Sequence, residues 1–151
     1  MLVILIRHGN ALNHDIDALR PLSDQGKAEA KETGLFLQDF LKDQSHGNVK
    51  IFHSELLRAK ETALIVSGQL NQSPTLEEGR DLLPNSSTGP WHNNLHAFEE
   101  NETVILVGHM PFMGIFASEM LKKSTSLPTG GCLVFEREEE SQNFKLLVTN
   151  Y

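Results

Sequence analysis

The stretch Leu2-Val3-Ile4-Leu5-Ile6-Arg7-His8-Gly9 decides how the rest of this chain is read. Its five consecutive apolar residues do not alternate with polar ones. They describe a strand buried on both faces, as in parallel sheets covered by helices. A later segment repeats the design: Thr103 to Val107 is an apolar strand, and Gly108-His109-Met110-Pro111 follows it. In open α/β sheets ligands bind outside the carboxyl ends of the strands, so His8 and His109 are candidates for one crevice. Gly9 and Gly108 suit places where backbone approaches a ligand closely. For either histidine alone, the plainer account is a half-buried residue that closes a strand.

Helices are expected between these strands. Leu22-Ser23-Asp24-Gln25-Gly26 opens the first, with Ser23 as N-cap and Leu35, Phe36, Leu37, Phe40 and Leu41 at three- and four-residue spacings. Ser45-His46-Gly47-Asn48 breaks it, and Val49 to His53 is a short strand. A second helix is expected to begin near Ser54, its N-cap, and carries Leu56, Ala59, Ala63, Val66 and Leu70 on one stripe until Asn71-Gln72-Ser73-Pro74. Residues 78 to 92 read as one long irregular stretch, of the sort that is often functional. Pro111 suits the first turn of a helix reaching Leu121. Leu133-Val134-Phe135 and Leu146-Leu147-Val148 read as short strands joined by a solvated acidic turn, Glu136 to Asn143. Strands alternating with helices predict an α/β layer fold with a mostly parallel sheet.

The 151 residues fit one domain, residues 1–151, without a linker, repeat or low-complexity tract. Hydrophobic residues at 39% and charged residues at 22% are ordinary for a globular protein. The single cysteine, Cys132, cannot form an internal disulfide and reads as a small buried filler. The first apolar run is too short for a membrane span or a signal peptide, which predicts a soluble, cytoplasmic protein. A net charge of −7 argues against nucleic acid and anionic lipid as partners.

Against that acidic background the cations stand out. Ser54-Glu55-Leu56-Leu57-Arg58-Ala59-Lys60-Glu61-Thr62 places Arg58 in the first turn after a short strand, near the same sheet edge as the histidines. A helix N-terminus there adds N–H donors that favour an anion. The alternative is a solvated helical arginine. Two arginines and two histidines converging on one crevice suit a dianionic phosphoryl group, whose oxygens accept charge-assisted hydrogen bonds. They would repel a metal ion, and neither paired metal-ligand spacing nor a GxxxxGK[ST] loop is present. No cofactor is expected.

These segments resemble the histidine phosphatase superfamily. Its marks are an Arg-His-Gly triplet (Arg7-His8-Gly9), a Ser-x-x-x-Arg-Ala-x-x-Thr segment (Ser54 to Thr62) and a Val-Gly-His segment (Val107-Gly108-His109). Arg20-Pro21-Leu22-Ser23, Leu83-Pro84 and Gly130-Gly131 are similar to its short SixA-type phosphohistidine phosphatases. Glu55 in place of a usual proline and Glu61 in place of a usual glutamine depart from the pattern beside the motif.

The resemblance implies a three-layer sandwich around the central sheet and a two-step phosphoryl transfer. His8 would attack phosphorus and become a phosphohistidine that water then hydrolyses. Arg7, Arg58 and His109 would bind the phosphoryl oxygens, and the Met110 N–H would add a donor. Arg20 either reaches the pocket or is a surface loop arginine. Family members that cleave esters usually carry an acid in the loop between Arg58 and His109, but residues 84 to 98 contain no Asp or Glu. Glu77, Glu78, Asp81, Glu99 and Glu100 are the nearest carboxylates, Asp81 the nearest fit. A phosphohistidine needs less help, since it leaves as neutral imidazole with a conjugate acid of pKa ~6.5.

The expected substrate is therefore phosphohistidine in a signalling protein. A general small-molecule phosphomonoesterase of the same fold is the alternative. A non-catalytic phosphate-binding module is more remote, because neither His8 nor an arginine is lost, and a mutase lacks room for a substrate lid. The other histidines, His14, His46, His53, His92 and His96, read as surface or supporting residues.

Overall fold

The computed structural model describes residues 1–44 and 47–151, so His46 lies outside the described residues. Six strands, β1 (Leu2–Arg7), β2 (Val49–His53), β3 (Thr75–Glu78), β4 (Thr103–Gly108), β5 (Cys132–Arg137) and β6 (Phe144–Asn150), form one sheet in the order β3-β2-β4-β1-β5-β6. The pairs among β3, β2, β4 and β1 are parallel, and β5 and β6 add antiparallel strands at one edge. The sheet is mostly parallel, as expected.

Alternate residues of the central strands feed two cores, which accounts for their unbroken apolar sequence. Leu2, Ile4, Ile6, Ile105 and Val107 pack beneath α1 (Asp24–Leu41) and α2 (Leu57–Gln69). Val3, Leu5, Val104 and Leu106 face Trp91 and Leu95 of α3 (Gly89–Leu95) and Phe112, Phe116 and Ala117 of α4 (Phe112–Leu121). The result is a three-layer α/β sandwich. Ser23 caps α1 by accepting from the Gly26 N–H at 3.0 Å, and Cys132 is a fully buried filler whose thiol burial pushes up to about 12. No helix among the described residues is long and apolar enough to cross a membrane.

Several expectations need correction. The second helix starts at Leu57 with Leu56 as N-cap, because the Ser54 hydroxyl is engaged elsewhere. Pro111 sits just outside α4 as its N-cap. The stretch before and after Leu82 is less irregular than its composition suggests: β3 ends at Glu78, and α3 begins at Gly89 with Pro90 in its first turn. The acidic turn is also shorter. Glu136 and Arg137 continue β5, with Glu136 outward and Arg137 buried against the carbonyls of Leu95 and Phe98 and the carboxylate of Glu100.

Candidate active site

The parallel pairing of β1 with β4 sets the site. Arg7 is in register with Gly108, and the His8 N–H donates to the Gly108 carbonyl at 2.9 Å, so both strands end at one level. The His8 and His109 rings lie 5.0 Å apart, tilted by 55°. Gly9 is needed here because a Cβ would come 2.4 Å from the Gly26 carbonyl oxygen. The close approach is thus to the first turn of α1 rather than to a ligand. Gly130, at φ +73°, turns its N–H onto the carbonyls of Arg7 and His8, each at 3.0 Å.

Each histidine is held by a different nitrogen. His8 Nδ1 lies 2.6 Å from its neighbour's carbonyl, Gly9 O, so Nδ1 carries the proton and Nε2 keeps its lone pair. His109 Nε2 lies 2.5 Å from Ser54 Oγ, which also accepts from the Leu56 N–H at 3.3 Å. The Ser54 hydroxyl has one proton and no other acceptor among the described residues; donated to Nε2, that proton puts the His109 proton on Nδ1. Burial pushes His8 down to about 4, aided by Arg58, Arg7 and Arg20 and opposed by the Gly9 hydrogen bond. Burial likewise pushes His109 down to about 3, with the neighbouring His8 and Arg58 acting the same way. Both rings are neutral at pH 7.

Arg58 is buried in the first turn of α2, not on a solvated face. Thr62, one turn on, donates to the Arg58 carbonyl at 2.7 Å and accepts from the Gly9 N–H at 3.0 Å, which ties α2 to the end of β1. Arg7 donates to the Leu127 carbonyl at 2.9 Å, and burial lowers its pKa. Arg20 donates through Nε to Leu12 O at 3.0 Å, and its charge bears on His8, so it belongs to the surroundings of the site. Met110 follows His109 directly, and its side chain packs over Gly114. Six buried side-chain nitrogens and oxygens among the described residues have no hydrogen-bond partner, and three of them are Arg7 Nε, Arg58 Nε and His109 Nδ1. Donors orphaned together at one strand edge suit a multidentate anion.

The carboxylates fall differently from expectation. Glu99 and Glu100 lie at the opposite end of β1, where Glu100 bonds Arg137 and the Met1 amino group. Glu77 and Glu78 sit exposed on edge strand β3, and Asp81 occupies an exposed left-handed turn. The carboxylate that meets the site's cations is Asp17, which the sequence did not single out. It lies in a 3-10 turn, Asp17–Leu19, where its carbonyl accepts from Arg58 Nη1 at 3.0 Å and its Oδ2 from Arg58 Nη2 at 3.3 Å. Its Oδ1 is 3.6 Å from Arg20 Nη1. Ser54 fits a local cap pattern and opens the Ser54 to Thr62 segment, and nothing local in the sequence points to its partner just after β4. His53 takes the supporting position of the two expected: it is buried, with Nδ1 2.8 Å from Ser54 O. Glu61 accepts from the Leu22 N–H at 2.9 Å and so anchors the loop before α1.

A strand-end histidine pair, one ring buried and one half-buried, flanked by arginines on this sheet order, defines the class of protein. Residues 3–92 match the family model described as histidine phosphatase superfamily (branch 1), and the chain belongs to that superfamily. Membership indicates a phosphatase. Among solved structures the chain is similar to the protein histidine phosphatase SixA complexed with tungstate, at 25% identity and a TM-score of 0.85, over 99% of this chain and 96% of that one. It is also similar to a SixA protein from Agrobacterium tumefaciens, at 21% identity and TM-score 0.81, over 99% and 97%. A phosphoserine phosphatase mutant from Entamoeba histolytica, in complex with phosphoserine, shares the fold at 17% identity and TM-score 0.67, over 99% and 96%. No curated protein sequence matches the chain.

Proposed function

We propose that this protein removes the phosphoryl group from phosphohistidine in a signalling protein, through a phosphohistidine intermediate on His8. The observation that carries this reading is the neutral His8 ring, proton on Nδ1 and lone pair on Nε2, beside three orphaned donors. Nε2 attacks phosphorus, the bond from phosphorus to the substrate ring nitrogen breaks, and that ring leaves as neutral imidazole if its other nitrogen is protonated. The Gly9 carbonyl supports the positive charge on the phosphorylated His8 ring. Water then attacks phosphorus, the electron pair returns to Nε2, and phosphate leaves with the water oxygen and its protons. Arg7, Arg58 and His109 Nδ1 stabilise the equatorial oxygens in both steps. Met110 N–H and Arg20 supply supporting donors at the rim.

A P–N substrate is favoured because the first step makes the same kind of bond that it breaks, so no strong acid is required. The similarity to a protein histidine phosphatase over nearly the whole chain supports the same reading. The rival reading, a general phosphomonoesterase, would draw on Asp17. That carboxylate acts as an acceptor toward Arg58, an arrangement that does not offer a proton to a leaving alkoxide. Turnover of a phosphohistidine protein, p-nitrophenyl phosphate and sugar phosphates should be compared directly. The phosphohistidine protein is expected to show the highest kcat/KM, and faster hydrolysis of a simple alkyl phosphate would hand the function to the esterase reading.

A further inference from the structure

The peptide that links Gly9 to Asn10 is held at both ends. Its carbonyl accepts from His8 Nδ1 at 2.6 Å, and its N–H donates to Glu29 Oε1 at 2.8 Å. These groups point in opposite directions along a trans peptide, so carboxylate, peptide and imidazole form one chain of hydrogen bonds. Glu29 also holds the other side of His8. Its Oε2 accepts from Thr129 Oγ1 at 3.1 Å, with Gln25 Nε2 a long 3.5 Å away. Gly130, next to Thr129, lies on the Glu29 stem, where a Cβ would come 2.7 Å from the Glu29 Cβ. Thr33, one turn along α1, donates to Gly130 O at 2.6 Å. The turn so held is the one whose N–H reaches the Arg7 and His8 carbonyls. No ion pair among the described residues engages Glu29. Its charge also acts on Arg7, opposing the lowering of that pKa by burial.

A clamp needs only an oxygen at this position, and a glutamine would supply one. A full negative charge does more. It polarises the peptide and leaves more negative charge on the Gly9 carbonyl, because hydrogen bonds in a chain strengthen one another. That gain is largest when the His8 ring is positive, after Nε2 has taken the phosphoryl group and Nδ1 has kept its proton. We infer that Glu29 is a positioning residue for His8: through the Gly9–Asn10 peptide its charge strengthens the acceptor of Nδ1–H and favours the phosphorylated ring. The inference rests on His8 being the nucleophile. It requires different effects on the two steps. Phosphorylation makes the ring positive and gains from the charge, whereas hydrolysis returns the ring to neutral and gains nothing. A misplaced His8 would instead slow both steps, since each needs Nε2 in line with phosphorus.

The test uses the full chain and phosphoramidate, whose protonated nitrogen leaves as ammonia when Nε2 attacks phosphorus. Alkaline quenching and intact mass follow phosphoenzyme formation, and its decay after phosphoramidate is removed gives the hydrolysis rate. Glu29→Gln keeps the oxygen and removes the charge. It should slow phosphorylation by about three- to tenfold, the worth of strengthening one bond in such a chain, while decay is as fast as in the wild type or faster. Proton NMR of isotope-labelled histidine in the resting protein gives a readout without turnover. There the His8 Nδ1–H resonance should move upfield in Glu29→Gln, because its bond to the Gly9 carbonyl weakens. Thr129→Val removes the other bond and keeps the charge, so it should cost phosphorylation less than Glu29→Gln does. Equal phosphorylation rates in wild type and Glu29→Gln, an equal loss in both steps, or an unmoved resonance would overturn the inference. So would a larger loss in Thr129→Val, or a Glu29→Gln chain that does not fold. If the wild type forms no phosphoenzyme, the nucleophile reading itself falls and takes the inference with it.

Discussion

His8 and His109 leave neighbouring parallel strands at the same level, both as neutral rings, yet they are secured by opposite nitrogens. His8 is tied through Nδ1 to the carbonyl of the next residue in the chain, a contact any strand-to-loop turn can supply. His109 is tied through Nε2 to a serine 55 residues away, on the loop that leads into α2. The nitrogen left over differs accordingly. His8 keeps an Nε2 lone pair, the requirement for attack on phosphorus, whereas His109 keeps a buried Nδ1 without a partner, the requirement for donation to an oxygen. Identical side chains in near-identical backbone settings thus acquire distinct chemistry from one hydrogen bond each.

The comparison breaks most severely at His8. His8→Ala should lower turnover by at least roughly a thousandfold while anion binding by the arginines persists, because the covalent route is lost. Rapid quenching with a labelled phosphodonor should trap no phosphoenzyme in this variant. A folded His8→Ala protein with near-normal rates would remove the nucleophile from the scheme.

His109 should behave differently in kind as well as degree. His109→Ala removes one transition-state donor, for which a loss of about 10²–10³ in kcat is typical, but the phosphoenzyme should still form and be trapped. Ser54→Ala leaves the ring in place and frees its tautomer, with an expected loss of about tenfold, the share of a single oriented donor. If His109→Ala abolished trapping altogether, or Ser54→Ala had no effect, the division of labour between the rings would fail.

Much of this pair was legible in the sequence, because continuous apolar runs ending on Arg-His-Gly and Val-Gly-His force parallel strands to finish together. What was not legible depends on partners distant in the chain. Strand β3 has no apolar run; it is an exposed edge that exists by pairing with β2 alone. Helix α3 is short and polar, and only Trp91 and Leu95, four apart, are buried in it. Arg137 looks like part of a solvated charge run until the carbonyls of Leu95 and Phe98 reach it. Ser54 satisfies the local pattern of a cap, and Asp17 that of a turn; their contacts with His109 and Arg58 span 55 and 41 residues.

The smallest effect separates the rings by acid sensitivity. Burial is the leading cause that pushes His8 to about 4 and His109 to about 3, from an ordinary 6.5. The unfolded chain takes up a proton on each ring as pH falls through about 6.5, and the folded protein does not until near 4 for His8 and lower for His109. Between those values the unfolded state binds more protons, so stability falls with falling pH and recovers above 6.5. Glutamine, which does not titrate, removes that dependence. The Tm difference between His109→Gln and the wild type should therefore shift in the variant's favour by about 5 °C between pH 7.5 and 5, as calorimetry would show. His8→Gln should shift by nearly the same amount over this range and fall behind His109→Gln only below about pH 4.5, where His8, the less depressed ring, takes up its proton in the folded state. The fixed loss from each substitution cancels when one variant is compared across pH. Differences independent of pH would mean that both rings protonate as in water, and the hydrogen bonds to Gly9 and Ser54 could not then assign their roles.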